Sequence, residues 1–247
     1  MAKDLFSTQA DLYARYRPVY PPELYNYILS FVKERELAWD CATGNGQAAA
    51  QLAQHFKKVI ATDISAEQIA RAAGAANIEY RVCSAESSVL PGNSTDLITV
   101  AQAYHWFDWK KFHAEVMRVA RNGSVIAIWT YKRKTTDDKV DALVSSFYKN
   151  VTGPYWDEER KYVDDLYETV EFEYAPLPGK MFESVLDWQR SDLIGYISSW
   201  SAVQKFIRLQ GYSPLPELEE TLKGLWPDGQ VKKTIFPISL RLGRVIK

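Results

Sequence analysis

Cysteine and histidine are scarce: the 247 residues include only Cys41 and Cys83, and only His55, His105 and His113. Two cysteines cannot build a disulfide framework, and a chain of this length buries enough apolar surface to fold without one. Neither residue type shows the spacing of a zinc site. No apolar run approaches the roughly 20 residues of a membrane span. Nor does a signal-type leader open the chain, since Met1-Ala2-Lys3-Asp4 runs into polar sequence. An excess of either charge is also missing. The balance is 30 basic against 31 acidic residues, which gives no support to nucleic-acid or anionic-membrane binding. Internal repeats and low-complexity tracts are absent. These absences predict a cytoplasmic protein with free, inert thiols, no metal, no nucleic-acid partner and no membrane contact. They leave the oligomeric state undefined.

Aromatic residues are plentiful, with eight Trp and fifteen Tyr. They suit pockets for flat or cationic ligands, and equally suit cores. The short basic runs Lys132-Arg133-Lys134 and Lys232-Lys233 read as solvated surface.

The N-terminal stretch is helical in pattern up to the break Arg17-Pro18-Val19-Tyr20-Pro21-Pro22. A helix over 23–33 follows, with Leu24, Ile28, Phe31 and Val32 on one face. Then the pattern alternates. Strands are predicted over 37–41, 58–62, 78–83, 95–101 and 124–130. Helices are predicted over 47–55, from the N-cap Ser65 through Ala72, and over 109–120. Gln68 stands at the capping-box position after Ser65, and Arg121-Asn122-Gly123 reads as a helix stop. Strands alternating with helices imply a parallel sheet covered on both faces. Beyond Tyr131 the alternation ceases. Residues 132–230 read as a helical lid with a strand over 168–174. Residues 231–245 read as a last strand, completing an antiparallel hairpin at the sheet edge.

In an open α/β sheet, ligands bind at the carboxyl ends of the strands. The first strand ends Asp40-Cys41-Ala42-Thr43-Gly44-Asn45-Gly46, where glycines let the backbone turn tightly and approach a ligand closely. The second ends in Asp63, seventeen residues after Gly46, where a carboxylate can hold the hydroxyls of an adenosine ribose. The pattern suits a dinucleotide or S-adenosylmethionine (SAM). A dinucleotide sets a pyrophosphate dianion against the turn, and Asp40 would repel it. SAM carries an ammonium and a sulfonium, which a nearby carboxylate favours. Electrostatics therefore favours SAM over a dinucleotide.

The third strand ends Cys83-Ser84-Ala85-Glu86, placed to read an adenine edge, with a helix N-cap at Ser84 as the plainer alternative. The fourth ends Ala101-Gln102-Ala103-Tyr104-His105-Trp106-Phe107-Asp108. Core packing explains Trp106 and Phe107, but Gln102 and His105 need polar partners.

These motifs resemble the SAM-dependent methyltransferases of the Rossmann-like class, and within it the trans-aconitate methyltransferase-like subfamily. The resemblance rests on Asp40-x-Ala42-x-Gly44-x-Gly46, Asp63, Ala85-Glu86 and Gln102-Ala103-x-His105-Trp106-Phe107-Asp108. Tyr16-Arg17-Pro18-x-Tyr20-Pro21 and Ser199-Trp200-Ser201-Ala202-Val203 add to it. It implies an α/β fold: a Rossmann-like, mostly parallel seven-stranded sheet with an antiparallel last strand, plus a helical lid. The whole chain, 1–247, is expected to form one methyltransferase domain. Residues 1–35 would be an N-terminal helical cover, 36–131 the cofactor-binding half, 132–230 the lid with its added strand, and 231–247 the terminal strand.

The resemblance also implies backbone contacts to SAM from Ala42, Gly44 and Gly46, ribose contact from Asp63, and adenine contacts around Ser84, Ala85 and Glu86. Gln102 would line the site, and Tyr13 and Tyr16 would close over the cofactor. Asp40, Thr43, Gln47, Ile64 and Ala101 complete the expected cofactor set. Two positions depart from the family pattern. Ala42 replaces the first motif glycine, which is tolerable only at negative φ. Ser84 replaces the usual acid, and Glu86 stands ready to compensate.

Methyl transfer from a sulfonium is an in-line displacement in which the protein chiefly aligns and desolvates the acceptor. The acceptor is expected to be a small molecule; the resemblance includes enzymes that esterify small carboxylates, which makes a carboxylate one candidate, and a carboxylate needs no base. A phenol, hydroxyl or amine would benefit from one, and His105 and Tyr16 are the candidate catalytic residues. His105, Trp106, Trp129 and Trp200 are the candidate acceptor contacts, with Tyr131, Trp156 and Trp188 also available. Arg133, Arg190 and Arg208 are candidate anchors for an acidic acceptor. Two other functions compete: an NAD-type oxidoreductase, and a protein that binds SAM without catalysis.

Overall fold

The structure, a computed structural model, describes residues 16–72, 74–135 and 137–247, without the side chains of Lys134 and Thr135. The expected N-terminal helical stretch, including Tyr13, lies outside them.

Helix α1 (Pro22–Leu29) starts directly after the proline break and buries Leu24, Tyr25, Ile28 and Leu29. Its prolines preset the backbone for a first helical turn. The alternating half follows as β1 (Leu37–Cys41), α2 (Gln47–Leu52), β2 (Lys58–Asp63), α3 (Ala66–Ala70), β3 (Ile78–Val82), β4 (Thr95–Ala101), α4 (Trp109–Val119) and β5 (Ala120–Tyr131). Residues Arg121-Asn122-Gly123 do not stop a helix. They lie inside β5, where the ladder to β4 shifts register.

The later half holds β6 (Lys134–Thr135), α5 (Asp138–Ser146), α6 (Arg160–Asp164), β7 (Ala175–Trp188), α7 (Arg190–Ser198), α8 (Ser201–Gln210), α9 (Leu215–Leu225) and β8 (Lys232–Arg244). The strand expected over 168–174 is absent there, and β7 begins at Ala175 instead. Aromatic Phe172 and Tyr174 read as strand residues, but they pack against Gly243 from outside the ladder. β7 and β8 pair antiparallel, joined by three helices rather than by a hairpin turn.

Strand order is β3-β2-β1-β4-β5-β8-β7, with short β6 continuing β5 along the same edge of β8. That makes seven strand positions. β1 to β5 are parallel, and β8 runs against both its neighbours. The parallel strands β1, β2, β4 and β5 are mostly buried because both faces are covered, whereas edge strand β3 carries Glu79 and Arg81 and buries no residue fully. One face carries Ala38, Val59, Leu97, Val125, Ala127, Trp129 and Leu240 against α1, α2 and the later helices. The other carries Trp39, Ile60, Ile98, Val100, Ile126 and Ile128 against Phe112 and Val116 of α4. Among the described residues, no helix is long and apolar enough to cross a membrane.

Candidate active site

The carboxyl ends of β1, β2, β3 and β4 open into one cleft of about 800 Å³, mouth included. Of the expected cofactor residues, Ala42, Gly44, Asp63, Ile64, Ser84, Ala85, Glu86, Ala101 and Gln102 line it. Parallel strands bring these turns together although they lie up to sixty residues apart.

The turn after β1 is held by two carboxylates. Asp63 Oδ2 accepts from the Gly44 N–H at 2.8 Å, and its Oδ1 accepts from Ser65 N–H at 2.9 Å. Asp40 lies behind the turn, 1% exposed, accepting from the hydroxyls of Thr43 at 2.5 Å and Thr99 at 2.7 Å. Burial raises the Asp40 carboxyl to about 6, against the pull of the two hydroxyl hydrogen bonds. Asp40 and Thr43 thus brace the turn from beneath, instead of lining the cleft.

The backbone at the cleft is left-handed at four points. Gly44 and Gly46 have φ of +57° and +82°, and non-glycine Ala42 and Gln102 have +54° and +57°. The expectation of negative φ at Ala42 is therefore overturned. A Cβ in this region costs roughly 1–2 kcal/mol, and such strain concentrates at functional sites. Gly46 is required for another reason than ligand approach. A Cβ there would lie 2.2 Å from the Tyr80 hydroxyl. Gln47 also turns away and donates to the Pro18 carbonyl at 3.3 Å.

Gln68 was legible only as a cap. Its N–H does donate to Ser65 Oγ at 3.2 Å, but its side chain does not return the bond. The amide is 3% exposed and lines the cleft, and its Oε1 has no partner in the protein. Cys83, Ala103, Trp106 and Phe107 line the cleft as well. Cys83 is half-buried rather than buried, with its thiol shifted upward by burial. No helix begins at Ser84, so its capping alternative falls.

Gln102 joins this cleft to a second chamber of about 480 Å³. Its Oε1 accepts from Thr130 Oγ1 and from Tyr131 N–H, both at 2.8 Å. That fixes the amide and leaves its NH₂ as the donor. The chamber is walled by Arg17, His105, Trp106, Trp156, Asp157, Arg160, Trp200 and Ser201 together with Gln102. His105 is 6% exposed, with Nδ1 2.7 Å from the Tyr167 hydroxyl. Burial first, and Arg160 second, lower its pKa to about 3. Arg17 donates to the Tyr131 hydroxyl and the Ser199 carbonyl, each at 3.2 Å. Arg160 Nε donates to the Tyr148 hydroxyl at 3.1 Å, and its guanidinium lies 4.7 Å over Trp156.

Several candidates lie elsewhere. Trp129 lines neither cleft and is fully buried in the core against Tyr20 and Tyr25. Trp188 packs on Tyr196 and Phe236. Tyr16 lines neither cleft; its ring lies against Gly195 of α7. Arg133 pairs with Asp141 and Arg190 with Asp228, and Arg208 lines neither cleft. Sequence reasoning missed Arg160, Asp157 and Tyr167, which no local motif marks.

The first cleft discriminates between the two cofactors. Its lining holds the carboxylates Asp63 and Glu86 and neither lysine nor arginine. A pyrophosphate would meet no countercharge there, whereas a sulfonium and an ammonium would be welcome. The orphan Gln68 Oε1 asks for one more donor, which an amine or a ribose hydroxyl can supply.

A methyltransferase-domain family model matches residues 39–128, the span that carries these turns. A Dictyostelium discoideum chain bearing a methyltransferase name is 37% identical over 98% of this chain and 95% of its own. The chain belongs to the SAM-dependent methyltransferases. A solved structure from Anaeromyxobacter dehalogenans, named as a type II methyltransferase, is 36% identical, with a TM-score of 0.84 over 93% of this chain and 98% of the other. A Mycobacterium tuberculosis relative matches at 34% identity over 50% of each chain. A Bacillus halodurans structure at 20% identity and TM-score 0.54 shares the fold. SAM is the cofactor, and the oxidoreductase and non-catalytic alternatives are set aside.

Proposed function

We propose that this methyltransferase esterifies a small carboxylate held in the second chamber, as its resemblance to the trans-aconitate methyltransferase-like subfamily implies. One observation carries the reading: the chamber offers donors and cations to its occupant. Arg17, Arg160 and the Gln102 NH₂ surround it, and the buried Trp156 Nε1–H has no partner in the protein. The single acid, Asp157, is paired with Lys205 at 3.2 Å. Such a surface suits an anion with planar oxygens, because guanidinium forks match carboxylate geometry.

Bound SAM supplies a methyl group already activated on sulfonium. Asp63, Glu86 and the Gly44 turn hold the cofactor. Gln102 and Trp106 line both cleft and chamber, so the transfer path passes between them. Arg17 and Arg160 orient the acceptor oxygens, and Trp156 and Trp200 exclude water. A carboxylate is already the nucleophile and needs no proton removed.

The test is transfer of labelled methyl from SAM to matched panels of small carboxylates, phenols and amines. Turnover on carboxylates is expected, with label released as methanol by mild alkali. Transfer only to phenols or amines would reject the carboxylate reading. Binding of SAM and S-adenosylhomocysteine, measured calorimetrically beside NAD(H), serves as the control for an intact cofactor site.

A further inference from the structure

Tyr167 belongs to no motif, yet it reaches the histidine of the acceptor chamber. Its hydroxyl sits 2.7 Å from His105 Nδ1, and the tyrosine is 1% exposed. The backbone that delivers it is strained. Leu166 and Tyr167 have φ of +58° and +63°, two successive side-chain-bearing residues in the left-handed region. Three bonds hold this arrangement. Tyr167 N–H donates to the Tyr162 carbonyl at 2.7 Å. Arg241, from β8, donates to the carbonyls of Tyr167 at 2.5 Å and Val170 at 2.8 Å. The Arg241 guanidinium also lies 4.7 Å over Phe172. Filling a core needs no such strain. Strain of this kind persists where the surroundings over-determine a placement.

A neutral imidazole has one N–H and one bare nitrogen. Of the two groups that meet here, the phenol is the better donor and the imine nitrogen the better acceptor. We propose that Tyr167 donates to His105 Nδ1 and fixes the Nε2–H tautomer, so that His105 meets the acceptor as a hydrogen-bond donor and not as a base. The proposal rests on the reading that the chamber holds the acceptor.

The surroundings agree. Burial and the nearby Arg160 keep the ring neutral, and the other charged groups at the chamber are Arg17 and the paired Asp157. With Nδ1 committed to Tyr167, Nε2 is the nitrogen left for the chamber. A base at Nε2 would require the proton on Nδ1 and would turn Tyr167 into an acceptor. With Nε2–H, His105 adds a donor beside Arg17, Arg160, Gln102 and Trp156. Tyr167 is then a positioning residue, and acceptors that must lose a proton are disfavoured.

The experiment is a long-range proton–nitrogen correlation on protein with ¹⁵N-imidazole histidine, bound to S-adenosylhomocysteine. The chain has three histidines, and His105→Gln identifies the signals of interest. The expected wild-type pattern is a neutral Nε2–H ring that does not titrate between about pH 5 and 8. In Tyr167→Phe the Nδ1–H form should gain about fivefold relative to Nε2–H, as one hydrogen bond is lost. A wild-type Nδ1–H ring, a ring that titrates in that window, or an unchanged ratio in Tyr167→Phe would overturn the proposal. The wild-type spectrum decides even if the variant does not fold. None of these outcomes touches the carboxylate reading, which the acceptor panel tests separately.

Discussion

The two clefts are built in opposite ways. The cofactor cleft is lined by turns that directly follow parallel strands, and its charged groups are the acids Asp63 and Glu86. The second chamber draws Arg17 from before α1, His105 from after β4, Trp156 and Arg160 from around α6, and Trp200 from the start of α8. Its charged groups are Arg17, Arg160, which pairs with Asp164 at 3.3 Å, and Asp157, which pairs with Lys205 at 3.2 Å. Backbone turns fix the first cleft, and long side chains from scattered elements form the second. On the proposed reading, the cationic donor occupies the acidic cleft and the anionic acceptor the chamber of the two arginines. That reading gives each reactant a compartment of opposite charge, with Gln102 and Trp106 at the border.

The largest effect should come from Asp63→Ala. Its carboxylate holds both Gly44 N–H and Ser65 N–H, and charged hydrogen bonds contribute about 1.5–3 kcal/mol each. SAM affinity measured by titration calorimetry should fall about 100-fold or more. A loss below threefold would mean that the acidic cleft does not hold the cofactor. Next comes Arg160→Met, which tests the other compartment. Turnover of a carboxylate acceptor should fall by about 10- to 100-fold, while SAM affinity stays within about twofold. An equal loss of both would erase the division between the clefts.

Gln68→Leu sharpens the boundary between stability and binding. The side-chain Oε1 is buried without a protein partner, and an unmet acceptor costs about 1–3 kcal/mol. Without ligand, the variant should melt no lower than wild type. With saturating SAM, its melting point should rise less, and SAM affinity should drop about tenfold, the value of one good hydrogen bond. A lower melting point without ligand would show that Gln68 is structural.

The same contrast explains what could be read from the sequence. The turns after β1 to β4 are local signals, because each glycine, acid or alanine stands within a few residues of a strand end. Strand parity then sets the sheet, and the topology follows from the alternation. Nothing local marks Arg160 or Tyr167, since their role depends on which helices pack over the sheet. Trp129 failed for a related reason. It is aromatic and close to a strand end, but period-two alternation turns it to the face where Tyr20 and Tyr25 already lie. The strand over 168–174 was misplaced because Phe172 and Tyr174 look β-forming, while their burial comes from packing on Gly243. Gln68 misled in a subtler way, because its backbone makes the cap while its side chain faces the cleft.

The smallest expected effect lies at Ala42, and its sign is the informative part. Its φ of +54° puts a Cβ where glycine would be at ease. Relief of that strain is worth roughly 1–2 kcal/mol. Glycine's added freedom in the unfolded chain takes back about 0.5–1 kcal/mol. Ala42→Gly should therefore stabilise the protein by about 0.5–1 kcal/mol, raising the melting point by about 2 °C for a chain of this length. SAM affinity is the second readout. If the strained alanine only fills space, affinity stays constant as stability rises. If the strain holds the turn in its ligand-ready form, affinity falls while stability rises, and that opposite movement would show that rigidity at the end of β1 is spent on binding rather than on folding.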